Sequence, residues 1–265
     1  MQQMNKAKII LLMGVAIASF AFFFSRPIMV QPLEYHAFTD QRSFLGVPNA
    51  MDVLSNFGFL IVGMLGLAEL SKQTMMTTRK SWIALFSCVL LVAPGSAYYH
   101  WWPDNQSLIW DRLPMSMGFM ALYIVLLSEH ISLRLQKFLP FALFIGVLSV
   151  LTWVITTDLR FYFWVQFSSF LTIPIVLALF PSRFNKKIGY IIALIFYALA
   201  KFAEVKDAGF YQATGHLMSG HTLKHLLSAL GILTLWWMVK TRQDLSQTAA
   251  GWRIADTSPL LEKPR

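Results

Sequence analysis

The chain has a single cysteine, Cys88, among 265 residues. An intrachain disulfide is therefore excluded, and a thiolate metal site lacks its ligands. Charge is scarce too: Asp, Glu, Lys and Arg make up 13% of the residues, against about 25% in a water-soluble domain. Strands that alternate apolar and polar residues are missing, which excludes a closed barrel as a way through a bilayer. There is no internal repeat, low-complexity tract or long linker. The 22 basic residues outnumber the 13 acidic ones. They are scattered through short connections and form no patch, so the excess reads as topogenic and not as a nucleic-acid surface.

What fills the chain is apolar sequence, 56% of it, in runs of a length that crosses a bilayer as helix. The reading is an all-α, polytopic membrane helical bundle. Eight spans are expected, at Ala7–Phe24, Met51–Leu70, Trp82–His100, Asp111–Ser128, Phe138–Ile155, Arg160–Phe180, Lys187–Ala203 and Leu217–Val239. The first resembles a signal peptide in its basic start at Lys6 and Lys8. Its apolar run continues to Phe24, which favours a retained helix. Residues 1–30 thus form an N-terminal transmembrane helix or signal anchor, residues 31–242 the membrane domain and residues 243–265 a flexible polar tail. Of the 22 Lys and Arg, 15 fall on the side that holds both termini. By the positive-inside rule that side is cytoplasmic.

Few residues in these spans can do chemistry. Ser96 and His100 close the third span one helical turn apart, and Asp111 opens the fourth. His221 and His225 open the last, four residues apart and on one helical face. Such a pair can share a metal. Four crossings separate His100 from the pair, so all three histidines reach the same membrane face. Three neutral imidazoles leave one tetrahedral position open, the arrangement of a catalytic zinc site. Asp111 is then placed to take a proton from water activated there, and Ser96 to donate a hydrogen bond to an oxyanion.

Each residue has a plainer reading. Asp111 suits a helix cap with Pro114 in the first turn. Ser96 suits a carbonyl freed at Pro94-Gly95. Lys224 points away from the histidine face and reads as snorkelling to headgroups. His36, His130 and His216 read as ordinary surface histidines. Trp101, Trp102 and Trp110 read as an interfacial belt. A haem site is disfavoured, because histidines four apart on one helix cannot take opposite faces of one haem.

Taken together, Ser96-x-x-x-His100, Asp111 and His221-x-x-x-His225 resemble the pattern of the alkaline ceramidase family, in a bacterial-type member. That family belongs to a superfamily of seven-helix membrane hydrolases that includes the adiponectin-type receptors. The resemblance covers roughly residues 35–240. It implies a seven-helix ceramidase-like core, with the first helix as an addition, in a bacterial inner membrane. It further implies zinc on His100, His221 and His225, and Asp111 and Ser96 as catalytic groups near the extracytoplasmic face. The expected reaction is hydrolysis of the amide of a ceramide-like membrane lipid to a fatty acid and an amine base. The alternative is a receptor-like or lipid-binding protein with structural zinc. Asn49 to Phe57 looks like the start of the family's first core helix, with its Ser55-Asn56 pair, and Asn56 is expected to bond a neighbouring helix. Animal members carry an acidic calcium-binding segment just before that helix. Here a Ca2+ site would have to be built from Glu34, Asp40, Asn49 and Asp52, and the sequence does not show where the roughly six or more oxygen ligands of calcium would come from.

Overall fold

In the membrane-type pattern, apolar side chains face outward and polar ones gather inside, because lipid offers polar groups no partner. The computed structural model, which describes residues 2–245, has this character. Phe141, Phe144, Ile155, Ile195, Leu199 and Phe202 are exposed, while Ser96, His100, Ser116, Ser149, Gln166 and Ser169 are buried.

The described residues form α1 (Gln2–Phe24), α2 (Ala50–Ser55), α3 (Phe57–Lys72), α4 (Arg79–Trp101), α5 (Asn105–His130), α6 (Leu139–Thr156), α7 (Arg160–Leu179), α8 (Ile188–Val205), α9 (Asp207–Ala213) and α10 (Gly220–Thr241). Short 3-10 turns lie at Leu33–His36 and Leu133–Phe138, and no strand forms among these residues. Eight helical stretches, with α2 and α3 counted together, are long and apolar enough to cross a membrane. The α2–α3 break falls at Asn56. Its side-chain amide bonds the Asp52 carbonyl of its own helix at 2.8 Å, so the expected interhelical bond is not made there.

The fourth helix begins earlier than expected. Asp104 Oδ1 accepts from the Ser107 backbone N–H at 2.7 Å, and Ser107 Oγ accepts from the Asp104 N–H at 3.1 Å. This reciprocal cap starts α5 at Asn105. The bond from Ser107 holds the Asp104 carboxyl below its ordinary pKa. Asp111 therefore lies a turn and more inside the helix, and its reading as an N-cap is overturned.

Glycines set the helix spacing around the site. A Cβ on Gly95 would lie 2.2 Å from the Trp110 carbonyl oxygen, so α4 and α5 touch backbone to backbone just below His100. A Cβ on Gly220 would lie 2.1 Å from the Ala203 carbonyl oxygen, which seats the start of α10 against the end of α8. At the far end, Glu129 ties four helices. Its carboxylate accepts from Thr78 Oγ1, Trp82 Nε1 and Tyr190 Oη at 2.8 Å each, and from Arg242 Nη1 at 2.7 Å. Glu129 and His130, expected in a surface connection, are both buried. The stretch from Gln243 to Leu245 docks on Arg183–Asn185 through backbone bonds. The remainder of the expected flexible tail lies outside the described residues.

Candidate metal centre

The end of α4 and the start of α10 bring His100, His221 and His225 together. All three are buried, and each offers a ligand atom within 4.8 Å of the others. Their ring centroids are 4.8 to 5.0 Å apart. Four crossings in the chain thus return the last helix to the end where His100 lies. Among the described residues this is the one cluster of histidine, cysteine or carboxylate ligands that could hold a metal.

The polar N-terminal part of the second span positions these rings. Asn49, in a left-handed conformation at φ 46°, donates from Nδ2 to the His100 carbonyl at 2.9 Å. Asp52 Oδ1 accepts from Thr222 Oγ1 at 2.6 Å, one residue beyond His221. Ser55 Oγ lies 2.7 Å from His225 Nδ1 and 2.9 Å from the Asp52 carbonyl oxygen. The hydroxyl has one hydrogen. Directed at that carbonyl, it leaves Ser55 to accept from Nδ1–H, and the His225 Nε2 lone pair is then free. The His221 backbone N–H is one of the unpaired donors of the first turn of α10, and it bonds Asp207 Oδ1 of α9 at 2.8 Å. Phe38 closes the triad from the loop side, with its ring 4.6 Å from that of His100 and 5.0 Å from that of His221.

The donor set fits a metal. Both ring nitrogens of His100 are buried and have no hydrogen-bond partner. A buried polar group left in this state is costly. A cation shared with the two further imidazoles would account for one of these nitrogens. The chemistry of three neutral imidazoles suits zinc. His221 is different: Lys224 Nζ lies 2.9 Å from its Nε2 and 3.0 Å from Glu204 Oε1. An ammonium can only donate, so this lone pair is in use, and ligation through Nε2 requires Lys224 to withdraw toward Glu204. Lys224 does not snorkel as expected; it is drawn inward by a carboxylate on α8.

Ser96 and Asp111 are neighbours across the α4–α5 contact, with the Ser96 side chain near the Asp111 carboxylate. Both line a cavity of about 740 Å³, together with His225, Lys224 and Glu204. From this polar end the wall continues as Val92, Val89 and Leu85 along α4 and as Ser228, Ile232 and Leu235 along α10. Ser96 to Leu85 spans about 16 Å of helix at 1.5 Å per residue. The cavity is therefore long, with its charged residues at one end and a mostly apolar wall toward the other.

The four residues required for calcium do not converge. Glu34 is exposed, Asn49 bonds His100 and Asp52 bonds Thr222. Burial alone would raise the pKa of Asp40. Its hydrogen bonds from Arg42, at 2.8 and 2.6 Å, outweigh burial and hold the carboxyl below its ordinary range. His36 is no free surface histidine either: its Nδ1 lies 3.0 Å from Tyr99 Oη and its Nε2 3.1 Å from Asn105 Oδ1. His216 is exposed. Trp101, Trp102 and Trp110 are exposed, at 38%, 60% and 59%.

Sequence reasoning passed over Ser55 and Asp52 as positioning groups and missed Glu204. An acid within an apolar span is itself a signal, since such residues are kept only where they have partners. No family model matches the chain, and neither does any curated protein.

Proposed function

We propose that this chain is an integral membrane hydrolase, zinc-dependent, that cleaves the amide of a ceramide-like lipid, as its resemblance to the alkaline ceramidases suggests. The observation that carries the reading is the position of the unpartnered His100 imidazole. It sits within the histidine triad, and the triad adjoins a cavity whose charged lining residues gather at that end. Its volume of about 740 Å³ falls in the range of about 300–1,000 Å³ of small-molecule sites. An acyl chain matches the apolar stretch, and its carbonyl then lies at the level of Ser96 and Asp111.

His100, His221 and His225 would hold the zinc. When bound, zinc supplies Lewis acidity, which polarises an acyl carbonyl and lets water attack at neutral pH. Asp111 takes the proton of the attacking water on a carboxylate oxygen and returns it to the leaving nitrogen. The Ser96 hydroxyl, beside Asp111, donates to the oxygen on which negative charge develops. Phe38 keeps bulk water from the triad. In this reading α2 to α10 form a seven-span core and α1 is an addition outside it. Support comes from the packing of α1 against α7 and from Leu12, the one buried apolar residue among residues 6–24 of α1. The distribution of Lys and Arg supports an extracytoplasmic site, and the resemblance suggests a bacterial inner membrane.

The test compares the lipids of membranes incubated with purified protein and with His100→Ala. A fatty acid and a matching amine released by the wild type alone support the reading. Zinc retained with no turnover of any lipid amide overturns it in favour of a receptor-like protein with structural zinc.

A further inference from the structure

The charges in the cavity wall do not balance. Arg112, Lys201 and Lys224 stand in it with Asp111 and Glu204. Both lysines go to one carboxylate: Lys201 Nζ is 2.9 Å from Glu204 Oε2 and Lys224 Nζ 3.0 Å from Glu204 Oε1. Asp111 forms no ion pair with any of the three among the described residues. Arg112 remains. It is 4% exposed, and among the described residues no carboxylate forms an ion pair with it. Nη2 donates to the side-chain carbonyl of Gln31. Nη1 is buried and has no acceptor.

Aromatic rings hold the guanidinium in place. Its carbon lies 4.4 Å from the Trp153 ring centroid, 4.9 Å from that of Tyr162 and 5.7 Å from that of Tyr35. Ring faces attract a cation but supply no oxygen to the unpaired N–H. A guanidinium removed from water without an anion is destabilising, and its fixed fork matches carboxylate and phosphate oxygens. Zinc on the triad would add further positive charge to the same end of the cavity.

We infer that Arg112 is an anion-binding residue of the cavity, and that it receives a carboxylate or phosphate oxygen on the lipid that enters there. Arg112 directly follows Asp111 on α5, and both line the polar end. The anionic group must then lie within a few bonds of the carbonyl presented to Asp111. The substrate class moves from neutral ceramides to anionic N-acyl lipids, such as N-acyl amino acids or N-acyl lipids with a phosphate on the amine side. That substrate clause rests on the hydrolase reading; the anion site itself does not.

The test is a binding measurement on full-length protein stripped of metal, so that neither turnover nor ligation by zinc contributes. An N-acyl amino acid, an alkyl phosphate and an uncharged fatty amide of equal chain length are titrated while tryptophan fluorescence is followed. Wild type should bind at least one of the anionic lipids tenfold or more tighter than the amide. Arg112→Gln should lose that preference while its affinity for the amide stays unchanged, and Arg112→Lys should keep part of it. Preference for the N-acyl amino acid assigns the site to carboxylate, and preference for the alkyl phosphate assigns it to phosphate. Equal binding of all three by wild type, or an anion preference that survives in Arg112→Gln, overturns the proposal. If Arg112→Gln does not fold, the wild-type comparison and Arg112→Lys still decide, since an undiminished preference in the lysine variant would remove the need for the guanidinium fork. Anion preference in a protein that hydrolyses nothing would sink the hydrolase reading and leave this one standing.

Discussion

Ser55 Oγ stands 2.7 Å from His225 Nδ1, although 170 residues separate the two in the chain. The bond selects which ring nitrogen of His225 keeps its lone pair. Groups that orient a metal-binding imidazole in this way are worth about 10–100-fold in metal affinity. Ser55→Ala should therefore weaken zinc binding by about that factor and leave the helical content unchanged. Competition with a chelator of known affinity measures it. Equal affinity in Ser55→Ala and wild type would show that His225 needs no such partner.

Metal content tests the triad itself. Purified wild type should carry zinc, and His100→Ala, His221→Ala and His225→Ala should each lose it, because two imidazoles alone hold the ion poorly. Elemental analysis of the four proteins decides. Zinc retained in full by all three variants would refute the site.

The lone cysteine, Cys88, is buried, so introduced cysteines can report sidedness with little background. Leu33 is 75% exposed at the end that holds the triad, and Met75 is 94% exposed in the α3–α4 connection. In intact cells a membrane-impermeant thiol reagent should label Leu33→Cys and spare Met75→Cys. The opposite pattern would place the site on the cytoplasmic side.

Much of this architecture was legible because bilayer-length apolar runs dictate helices. Seven of the eight expected spans fall within a few residues of the observed ones. The fourth does not, because the Asp104–Ser107 cap starts α5 among residues too polar to read as a span. Helix α9 was missed because seven residues carry no clear period. His100, His221 and His225 were legible through helical spacing and the parity of crossings. Their supports were not: Ser55, Asp52, Asp207 and Glu204 act across elements distant in sequence. Lys224 points inward because Glu204 on α8 attracts it, and spacing along α10 alone carries no sign of that.

Glu129 shows what such cross-chain contacts contribute to stability. It and Arg242 are 1% and 3% exposed in their side chains and lie 2.7 Å apart. Removing one member of a buried pair leaves the other uncompensated and costs about 3–5 kcal/mol. Glu129→Gln should lower stability by that amount, measured by denaturant titration in detergent. The metal site at the opposite end of the bundle should keep its zinc in the fraction that remains folded. A variant as stable as wild type would mean that Arg242 finds a new partner or water.

Asp111→Asn separates catalysis from metal binding. The cap of α5 is Asp104, so the change leaves the helix start untouched. The amide keeps the size of the carboxylate. It cannot take a proton. Zinc content and stability should stay near those of wild type, while hydrolysis of a lipid amide falls by about 100-fold or more, the scale for loss of a general base. Each competing role leaves a different mark. If Asp111 only packs α5 against α4 through Ser96, turnover should barely change. If Asp111 orients a ligand, zinc should be lost along with activity. Turnover must therefore be measured together with zinc content on the same preparation. Wild-type turnover at full zinc occupancy would remove Asp111 from the chemistry and leave the three-histidine site intact.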